Sequence, residues 1–447
     1  MIVICKRLQA LAMTHLALAE GLRDISLTYH HSRALATLKP PKPRTRTVMS
    51  ATARSSAPIR SPLFLTEADC DVADLATVVA KTTDMTDYPG ADAVSRNILV
   101  YDSERLRSAI ATATGCRDAQ AELARALMDG PGVVVFKRAF GDVSVVDAAT
   151  EAFDAMIADQ RASGATSGDH FAKPGANDRV WNALEKLAVR APSAFAAYYA
   201  NDILALISAA WLGPAYQITS QVNVVNPGGD PQTGHRDYHL GFMSGDQAAQ
   251  FPAHAHRLSP VLTLQGAVAH SDMPVESGPT MYLPHSQKYE PGYIAAALPQ
   301  FRAYFEANQV QLPLEKGDAA FFNPALFHGA GRNRSTDIKR MANLLQVSSA
   351  FGRAMESVDR QRMCDALFST LLRFQASGMA ETGLRNIVAA SAEGYAFPTN
   401  LDRDQPVGGM APQTQAELVW QAVREQWDPA TFRDELAAHT ARRDTRD

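Results

Sequence analysis

Apolar residues recur at helical spacing through most of the first half of the chain. Four segments show this spacing: 67–83, 102–129, 144–162 and 180–212. The stretches GPG (130–132) and WLGP (211–214) are typical of the end of a helix. The run VVVF (133–136), in contrast, is a short and continuous apolar run of the kind that forms a buried strand. The first half is therefore predicted to be mainly helical.

From residue 216 the apolar and polar residues begin to alternate. In YQITSQVNVVNPGG (216–229), Thr219, Gln221 and Asn223 fall on one face of a strand and Val222 falls on the other. Five further runs have the character of strands: VLTLQGAVA (261–269), GPTMYLP (278–284), VQLPL (310–314), DAAFFN (318–323) and RMANLLQVS (340–348). Because Gly and Pro turns separate these runs, they favour an antiparallel barrel or sandwich over a sheet of βαβ units.

Beyond residue 352 the helical spacing returns, interrupted by a Gly- and Pro-containing loop at 397–413. The pattern predicts an α+β protein with a mainly β core. In this division a helical part spans 61–212, the β core spans 213–350, and a helical C-terminal extension spans 351–447.

Composition and charge exclude several classes of protein. A hydrophobic fraction of 46% and a charged fraction of 20% are those of a soluble, folded chain. The formal net charge of −4 gives no overall basic footprint for nucleic acid. No apolar run approaches the roughly 20 residues that a membrane-spanning helix needs. The four cysteines form no CxxC pair, which argues against a zinc ribbon or a disulfide framework and favours a reducing, cytoplasmic location.

The first 60 residues differ from the rest in charge. They contain ten of the 43 Lys and Arg residues, but only Glu20 and Asp24 among the acidic ones. A basic, acid-poor N-terminus is typical of an organellar transit peptide. The preferred interpretation is a disordered tail, or sequence upstream of a true start at Met49. In each case residues 1–60 are expected to lie outside the fold.

The segment GHRDYHLGF (234–242) contains the clearest candidates for catalytic or metal-binding residues. A protein-kinase catalytic loop also contains His-Arg-Asp, but it requires a following Asn and a separate DFG motif, and this sequence has neither. On a strand, His235 and Asp237 would instead point to the same side, about 6.6 Å apart, and could bind one metal ion. His239 would lie too far along the strand to join them. A purely structural histidine is the remaining interpretation.

A third metal ligand would have to come from another strand. His328 is the best candidate, because it follows the predicted buried strand 318–323 and precedes a Gly-rich turn. Two histidines and one carboxylate form the facial triad of non-haem Fe(II) oxygenases, which leaves coordination positions open for a co-substrate and O₂.

Several linked segments resemble the phytanoyl-CoA dioxygenase family of Fe(II)- and 2-oxoglutarate-dependent oxygenases. They are DGPGVVVFKRAF (129–140), GHRDYHLGF (234–242), ESGPTMYLPHSQK (276–288), KGDAAFFNPALFHGAGRN (316–333) and RMANLLQVS (340–348). The family's NGP…PGSH element is altered here to SGPTMYLPHSQ, whereas its GD…H.G..N.S…R element is nearly intact. The resemblance implies a double-stranded β-helix (a cupin-like jelly-roll barrel) within 61–350, wrapped by the N-terminal helices. It also implies His235, Asp237 and His328 as iron ligands.

The same resemblance implies the co-substrates 2-oxoglutarate and O₂, and a basic residue for the far carboxylate of 2-oxoglutarate. The family spacing points to Lys339, but the strand opening RMANLLQVS favours the adjacent Arg340, whose planar guanidinium can hold a carboxylate through two hydrogen bonds. Gln221 and Asn223 are further candidates for binding this co-substrate, although structural hydrogen bonding would explain them equally well. The same holds for Thr263 and Gln265.

Candidate substrate-binding residues lie in two places. The polar segment 169–182 contains His170, Asn177 and Arg179, and it separates two helical blocks in the region expected to cover the mouth of the barrel. The alternative is that Asn177 or Asp178 caps a helix there. His239 and Phe242 follow the predicted metal ligands and are expected to line the mouth of the pocket.

The predicted function is a dioxygenase that hydroxylates an unactivated C–H bond of a small-molecule metabolite, with release of succinate and CO₂. Related halogenases lack the ligand carboxylate, so the presence of Asp237 favours hydroxylation, although desaturation or ring formation would use the same ligands. Two alternatives remain: a cupin-type metalloenzyme that does not use 2-oxoglutarate, and a catalytically silent barrel that binds a ligand. We expect no nucleic-acid partner, and a homo-oligomer could form through the C-terminal helices. The location would be cytoplasmic, or organellar if the N-terminus is a transit peptide.

Overall fold

The computed structural model describes residues 63–163 and 176–445. The basic segment 1–60 and the candidate substrate residue His170 lie outside the described residues. The described part of the chain belongs to one compact unit, residues 60–447.

Helices occur at both ends of the described chain and between the strands. In chain order they are α1 (Val72–Val79), α2 (Ser103–Ile110), α3 (Ala113–Met128), α4 (Ser144–Ala162), α5 (Ala183–Arg190), α6 (Pro192–Tyr199), α7 (Asp202–Leu212), α8 (Gly245–Ala248), α9 (Ala253–Val261), α10 (Gly292–Ala295), α11 (Pro299–Asn308), α12 (Arg360–Ala376), α13 (Glu381–Ser391), α14 (Gln415–Glu425) and α15 (Pro429–Arg443). Within the described ranges no single helix is long and apolar enough to cross a membrane, although α6 and α7, which meet at a 63° bend, would be so together.

The strands form one large sheet and one small sheet. They are β1 (Ala93–Ser95), β2 (Ile98–Asp102), β3 (Val133–Lys137), β4 (Asn177–Val180), β5 (Gln217–Val225), β6 (Thr263–Ala269), β7 (Met281–Leu283), β8 (Ala319–Phe322), β9 (Phe327–Gly329) and β10 (Arg340–Ser348). The large sheet has the order β1-β2-β3-β8-β6-β10-β5-β4, and only its β2–β3 pair is parallel. The small sheet pairs β7 with β9. The large sheet is mostly antiparallel, as expected, but its edge strands β1 and β4 do not pair to close a barrel.

The alternating pattern along the central strands separates the two faces of the large sheet. Val222 on β5 and Leu345 on β10 belong to the main apolar core, which they share with residues of the surrounding helices. Their neighbours in the sequence, Gln221 and Gln346, lie on the opposite face and line a cavity. The period-2 alternation therefore sets which side chains reach the core and which face the cavity.

The C-terminal helices belong to the same apolar core as the N-terminal helices. Helix α12 packs against α5 and α6 as well as against α13, α14 and α15. The rings of Phe368 on α12 and Phe432 on α15 are stacked with centroids 3.9 Å apart. Because these rings are almost fully buried, they tie the last helix to the rest of the helical layer.

The secondary structure differs from the sequence-based picture in three places. Residues 177–180 form the edge strand β4 and not the helix start that was the alternative interpretation of this segment, because β5 offers them a free edge with which to pair. The strands β1 and β2 arise in a region for which no strand was predicted. The run 310–314 forms only isolated bridges, from Val310 to Tyr282 and from Leu314 to Met273.

A buried histidine between the sheet and the helices predicts acid sensitivity. The Nδ1 atom of His270 lies 2.8 Å from the Thr150 hydroxyl, and its Nε2 atom lies 3.0 Å from the Tyr198 hydroxyl. Burial, together with the nearby charge of Lys316, lowers the pKa of His270 from 6.5 to about 3. Between these two pH values the unfolded chain binds a proton that the folded protein does not. This residue therefore reduces the free energy of unfolding by about 1.4 kcal/mol for each unit by which the pH falls in that window.

We therefore expect the variant His270→Gln to lose stability less steeply than the wild-type protein between pH 6.5 and pH 5. The free energy of unfolding should be measured by denaturant titration at several pH values. The variant His254→Gln, at an exposed histidine, supplies the control. An unchanged slope in His270→Gln would contradict the prediction.

Candidate metal centre

His235 and His328 are brought together by a short antiparallel pairing of their main chains. The N–H of His235 donates to the carbonyl of His328 at 2.9 Å, and the N–H of His328 donates to the carbonyl of His235 at 3.0 Å. His328 lies on β9, whereas His235 makes only this isolated bridge, so the predicted continuous ligand strand is not formed. Because the two residues are directly opposite, their imidazole rings lie side by side with centroids 4.5 Å apart.

Asp237 completes a group of three potential metal ligands. One ligand atom from each of His235, Asp237 and His328 lies within 4.8 Å of the others, and no further such group occurs in the described residues. The Oδ2 atom of Asp237 is 3.9 Å from Nε2 of His235 and 3.7 Å from Nε2 of His328. The main chain of Asp237 is held by a hydrogen bond from its N–H to the carbonyl of Pro324 and by one from the Tyr293 hydroxyl to its carbonyl, both 2.9 Å.

The hydrogen bonds of the two imidazoles leave one nitrogen of each ring available to a metal. The Nδ1 atom of His235 is 2.8 Å from the carbonyl of Thr233, and Nδ1 of His328 is 2.9 Å from the carbonyl of Leu326. Since a carbonyl can only accept, each Nδ1 must carry the hydrogen. The two Nε2 atoms, which lie towards Asp237, therefore present lone pairs, as metal-ligating histidines do.

The protonation states also suit a metal ion. Burial alone would raise the pKa of Asp237, but the proximity of His328 and His235, together with the hydrogen bond from Gln265, outweighs it and lowers the pKa to about 2. Burial and the neighbouring His328 lower the pKa of His235, which favours its neutral form. One carboxylate and two imidazoles match the donor set of the non-haem Fe(II) facial triad.

Arg236, between the two ligand residues, points away from them into the protein. Its Nη2 donates to the carbonyls of Ser286 and Tyr289, and its guanidinium lies over the ring of Phe327 at 4.8 Å. The side chain is only 3% exposed and therefore anchors this irregular segment from behind. Gly292 allows this approach, because a Cβ at that position would lie 1.9 Å from the Arg236 Cζ.

His235, Asp237 and His328 line a cavity of about 530 Å³ on the polar face of the large sheet. Arg340, the first residue of β10, lines the same cavity and is 6% exposed. Its Nη1 donates to the carbonyls of Ser277 and Gly331, both at 3.3 Å, and it forms no ion pair with a carboxylate of the described residues. Burial lowers the pKa of Arg340 to about 10, so it remains charged at neutral pH. Lys339 is exposed and does not line this cavity.

The other predicted binding residues divide into two groups. Gln221, Asn223, Arg179 and Phe242 line the cavity, and Nη1 of Arg179 donates to Oε1 of Gln221 at 2.8 Å. Asn177 and His239 do not line it.

Asn177 and His239 make other contacts. Asn177 is paired with Val225 at the sheet edge. The imidazole of His239 lies against the ring of Tyr238, with centroids 3.8 Å apart, because the main chain turns there with a positive φ of 53°.

Sequence analysis did not single out three residues that line the cavity. Trp181 lines the cavity beside Arg179, whose guanidinium lies 4.9 Å from its ring. Gln346 lies on the same face of β10 as Arg340, so the alternation along that strand could have identified it. Met355 follows the predicted β core, and no sequence signal places it in the cavity.

Comparison with known proteins adds independent information. The family model described as "Phytanoyl-CoA dioxygenase (PhyH)" matches residues 128–341. No curated protein matches the sequence.

Three solved structures are similar to part of this chain. The non-heme alpha-ketoglutarate-dependent epimerase SnoN from nogalamycin biosynthesis is 21% identical, with 52% of this chain and 82% of that chain covered and a TM-score of 0.36. The carbocyclase SnoK from the same biosynthesis is 21% identical, with coverages of 51% and 83% and a TM-score of 0.35. AviO1 from Streptomyces viridochromogenes Tue57 is 19% identical, with coverages of 47% and 87% and a TM-score of 0.34.

The motifs around the two paired histidines thus lie within the matched region, together with Asp237 and Arg340. Over residues 128–341 this chain carries a domain of the phytanoyl-CoA dioxygenase family, whose members are non-haem, Fe(II)- and 2-oxoglutarate-dependent oxidoreductases.

Proposed function

We propose that this protein is a dioxygenase that hydroxylates an unactivated C–H bond of a small-molecule metabolite. The observation that carries the proposal is the placement of His235, Asp237 and His328 in one cavity with the buried guanidinium of Arg340. The three ligands would hold Fe(II), and Arg340 would bind the far carboxylate of 2-oxoglutarate. When bound, Fe(II) and 2-oxoglutarate would supply the oxidising chemistry with O₂, in which 2-oxoglutarate becomes succinate and CO₂.

Arg340 is well suited to a carboxylate of a bound molecule. Its charge is removed from water, and two carbonyl oxygens at 3.3 Å satisfy only part of its hydrogen-bonding capacity. A buried guanidinium is stabilised when a carboxylate accepts two parallel hydrogen bonds from it. Asn223 lies two positions along β5 from the Arg340 pairing partner Val225, and its Oδ1 is buried without a hydrogen-bond partner. Asn223 and Gln221 would therefore provide further polar contacts to the same co-substrate.

The remaining walls of the cavity would position the substrate and limit the access of water. Phe322 and Tyr282 border the cavity near the candidate ligands, with the Phe322 ring 4.6 Å from that of His328. Arg179, Trp181 and Phe242 would contact the substrate. A dry, shaped cavity holds the target C–H in place and strengthens electrostatic contacts to bound groups. The carboxylate of Asp237 would occupy a ligand position, which supports hydroxylation over halogenation.

We further propose that the two sheets together form an opened double-stranded β-helix. The small sheet packs through Tyr282 against Val135 and Phe322 of the large sheet. The cavity is lined by residues of both sheets, such as Tyr282 on β7 and Leu344 on β10. Two sheets that enclose a ligand cavity are the arrangement from which jelly-roll enzymes are built.

The first prediction of this proposal concerns metal binding. Fe(II) and 2-oxoglutarate added without oxygen should give the visible charge-transfer band of their chelate. The variant His235→Ala should weaken Fe(II) binding by more than the roughly 10- to 100-fold that loss of an outer partner typically costs, because a direct ligand is removed. Titration of the band with Fe(II) measures the effect.

The exposed residue His254 again provides the matched control, since His254→Ala should bind Fe(II) as the wild-type protein does. Full Fe(II) affinity in His235→Ala would show that the ligand assignment is wrong. Metal-dependent turnover of a metabolite without any 2-oxoglutarate requirement would instead favour a cupin-type enzyme. A screen of metabolites for coupled succinate formation would then identify the substrate.

The second prediction concerns the 2-oxoglutarate carboxylate. Arg340→Gln should weaken 2-oxoglutarate binding about 10- to 150-fold, because loss of a hydrogen bond to a charged group costs about 1.5–3 kcal/mol. Titration of the same band with 2-oxoglutarate measures the affinity, and thermal unfolding verifies that the variant is folded.

The neighbouring variant Lys339→Gln should bind 2-oxoglutarate with nearly wild-type affinity, because Lys339 is exposed and outside the cavity. The opposite result, with a strong effect of Lys339→Gln and none of Arg340→Gln, would assign the carboxylate to Lys339.

A further inference from the structure

Gln265 on β6 lines the cavity and contacts the candidate metal centre. Its Nε2 donates to Oδ2 of Asp237 at 2.7 Å, and the side chain is only 3% exposed. Oδ2 is also the oxygen that lies closest to the Nε2 atoms of His235 and His328, at 3.9 and 3.7 Å. The amide of Gln265 thus contacts the oxygen that faces the other two ligands.

The other hydrogen bonds of Asp237 do not fix its carboxylate. Its N–H and its carbonyl are bound by Pro324 and Tyr293, but these contacts hold only the main chain. An aspartate carboxylate turns readily about its last side-chain torsion, for which the preferences are broad. Among the described residues, Gln265 is the one amide that donates to this carboxylate.

The second carboxylate oxygen of Asp237, Oδ1, lies near Gly241. A Cβ added at Gly241 would lie 3.5 Å from Oδ1 of Asp237, so Oδ1 lies towards the main chain of that residue. The carboxylate therefore presents a single oxygen, Oδ2, to the two imidazoles. A carboxylate held in this orientation occupies one coordination position instead of two.

Gln265 itself is rigidly placed. It lies in the middle of β6, a central strand, where it is paired with Gln346 on β10 and with Phe322 on β8. Its Oε1 is buried and has no hydrogen-bond partner. Rotating the amide by 180° would turn this oxygen towards the carboxylate, where the two would repel each other, so Asp237 fixes the orientation of the amide.

We propose that Gln265 is a positioning residue for the metal-binding carboxylate. Its amide holds Oδ2 of Asp237 towards the metal position and keeps the carboxylate to one-oxygen binding, which leaves coordination positions free for 2-oxoglutarate and O₂. The inference rests on the proposed function, because it assumes that Asp237 binds a metal. Gln265 is not a catalytic residue in this role, since it acts through Asp237.

Co(II) is a suitable probe, because its visible absorption reports the coordination of the ion without turnover. The variant Gln265→Met keeps an unbranched side chain of similar length and removes the donor. We expect it to weaken Co(II) binding about 10- to 100-fold, as loss of a partner behind a metal ligand typically does. We also expect a changed Co(II) spectrum.

Gln346→Met is the matched control. Gln346 is the same residue type, faces the same cavity, and is the direct neighbour of Gln265 across the sheet, but among the described residues it forms no hydrogen bond with Asp237. It should bind Co(II) with nearly wild-type affinity and an unchanged spectrum. If Gln265→Met retains both wild-type properties, or if Gln346→Met loses them equally, Gln265 only fills space and the proposal is overturned.

A second variant tests the proposal in case Gln265→Met does not fold. Gln265→Asn retains the amide but withdraws it by one methylene, and it should reproduce the weaker binding in a protein that unfolds at a similar temperature. Wild-type Co(II) affinity in folded Gln265→Asn would also overturn the proposal. His235→Ala separates the two hypotheses: if it leaves Co(II) binding intact, the proposed metal site is wrong. If it abolishes binding while the Gln265 variants do not weaken it, only the positioning role fails.

Discussion

The main-chain pairing of His235 with His328 is the contact on which the candidate centre depends. The two residues are 93 positions apart in the sequence, so bringing them together restricts a long stretch of chain. Two hydrogen bonds contribute only about 0.5–1.5 kcal/mol each and cannot offset that restriction alone. The pairing is stabilised by its surroundings: β9 is held by β7, and the apolar cluster that contains Phe327 packs beneath it. The ligand geometry is therefore a property of the packed core as a whole.

The large sheet separates two environments, and its alternating strands create both. On one face, residues such as Val222 and Leu345 join the helices in the main apolar core. On the other face, amide and guanidinium groups are buried around the cavity, where each unsatisfied group carries a cost. Part of that cost is offset within the protein, by Arg179 with Gln221 and by Gln265 with Asp237. Arg340 has no such carboxylate partner among the described residues, which makes it the strongest indication of an anionic ligand.

The secondary structure predicted from the sequence agrees with the observed structure where the local hydrophobic pattern is strong. The strand predicted at 340–348 is observed at the same residues, and the alternation at 216–229 became the strand Gln217–Val225. Both runs have one apolar and one polar face, which is a direct signal of a half-buried strand. The segment Asn177–Val180 is short and polar, and pairing with β5 made it a strand. The segment around His235 is irregular, and its shape depends on anchors such as Arg236 that its own sequence does not reveal.

The sequence by itself determined the chemical types in the centre: two histidines, one aspartate and a basic residue near the start of a strand. It also determined which residues of the central strands face away from the core, because the alternation has a period of two. Only the tertiary structure decided that Arg340 enters the cavity while Lys339 remains exposed, since one residue of register exchanges the two faces of a strand. It likewise decided that Gln265 contacts Asp237 and that His239 packs against Tyr238 instead of lining the cavity. Such contacts join residues distant in the sequence, and local periodicity carries no information about them.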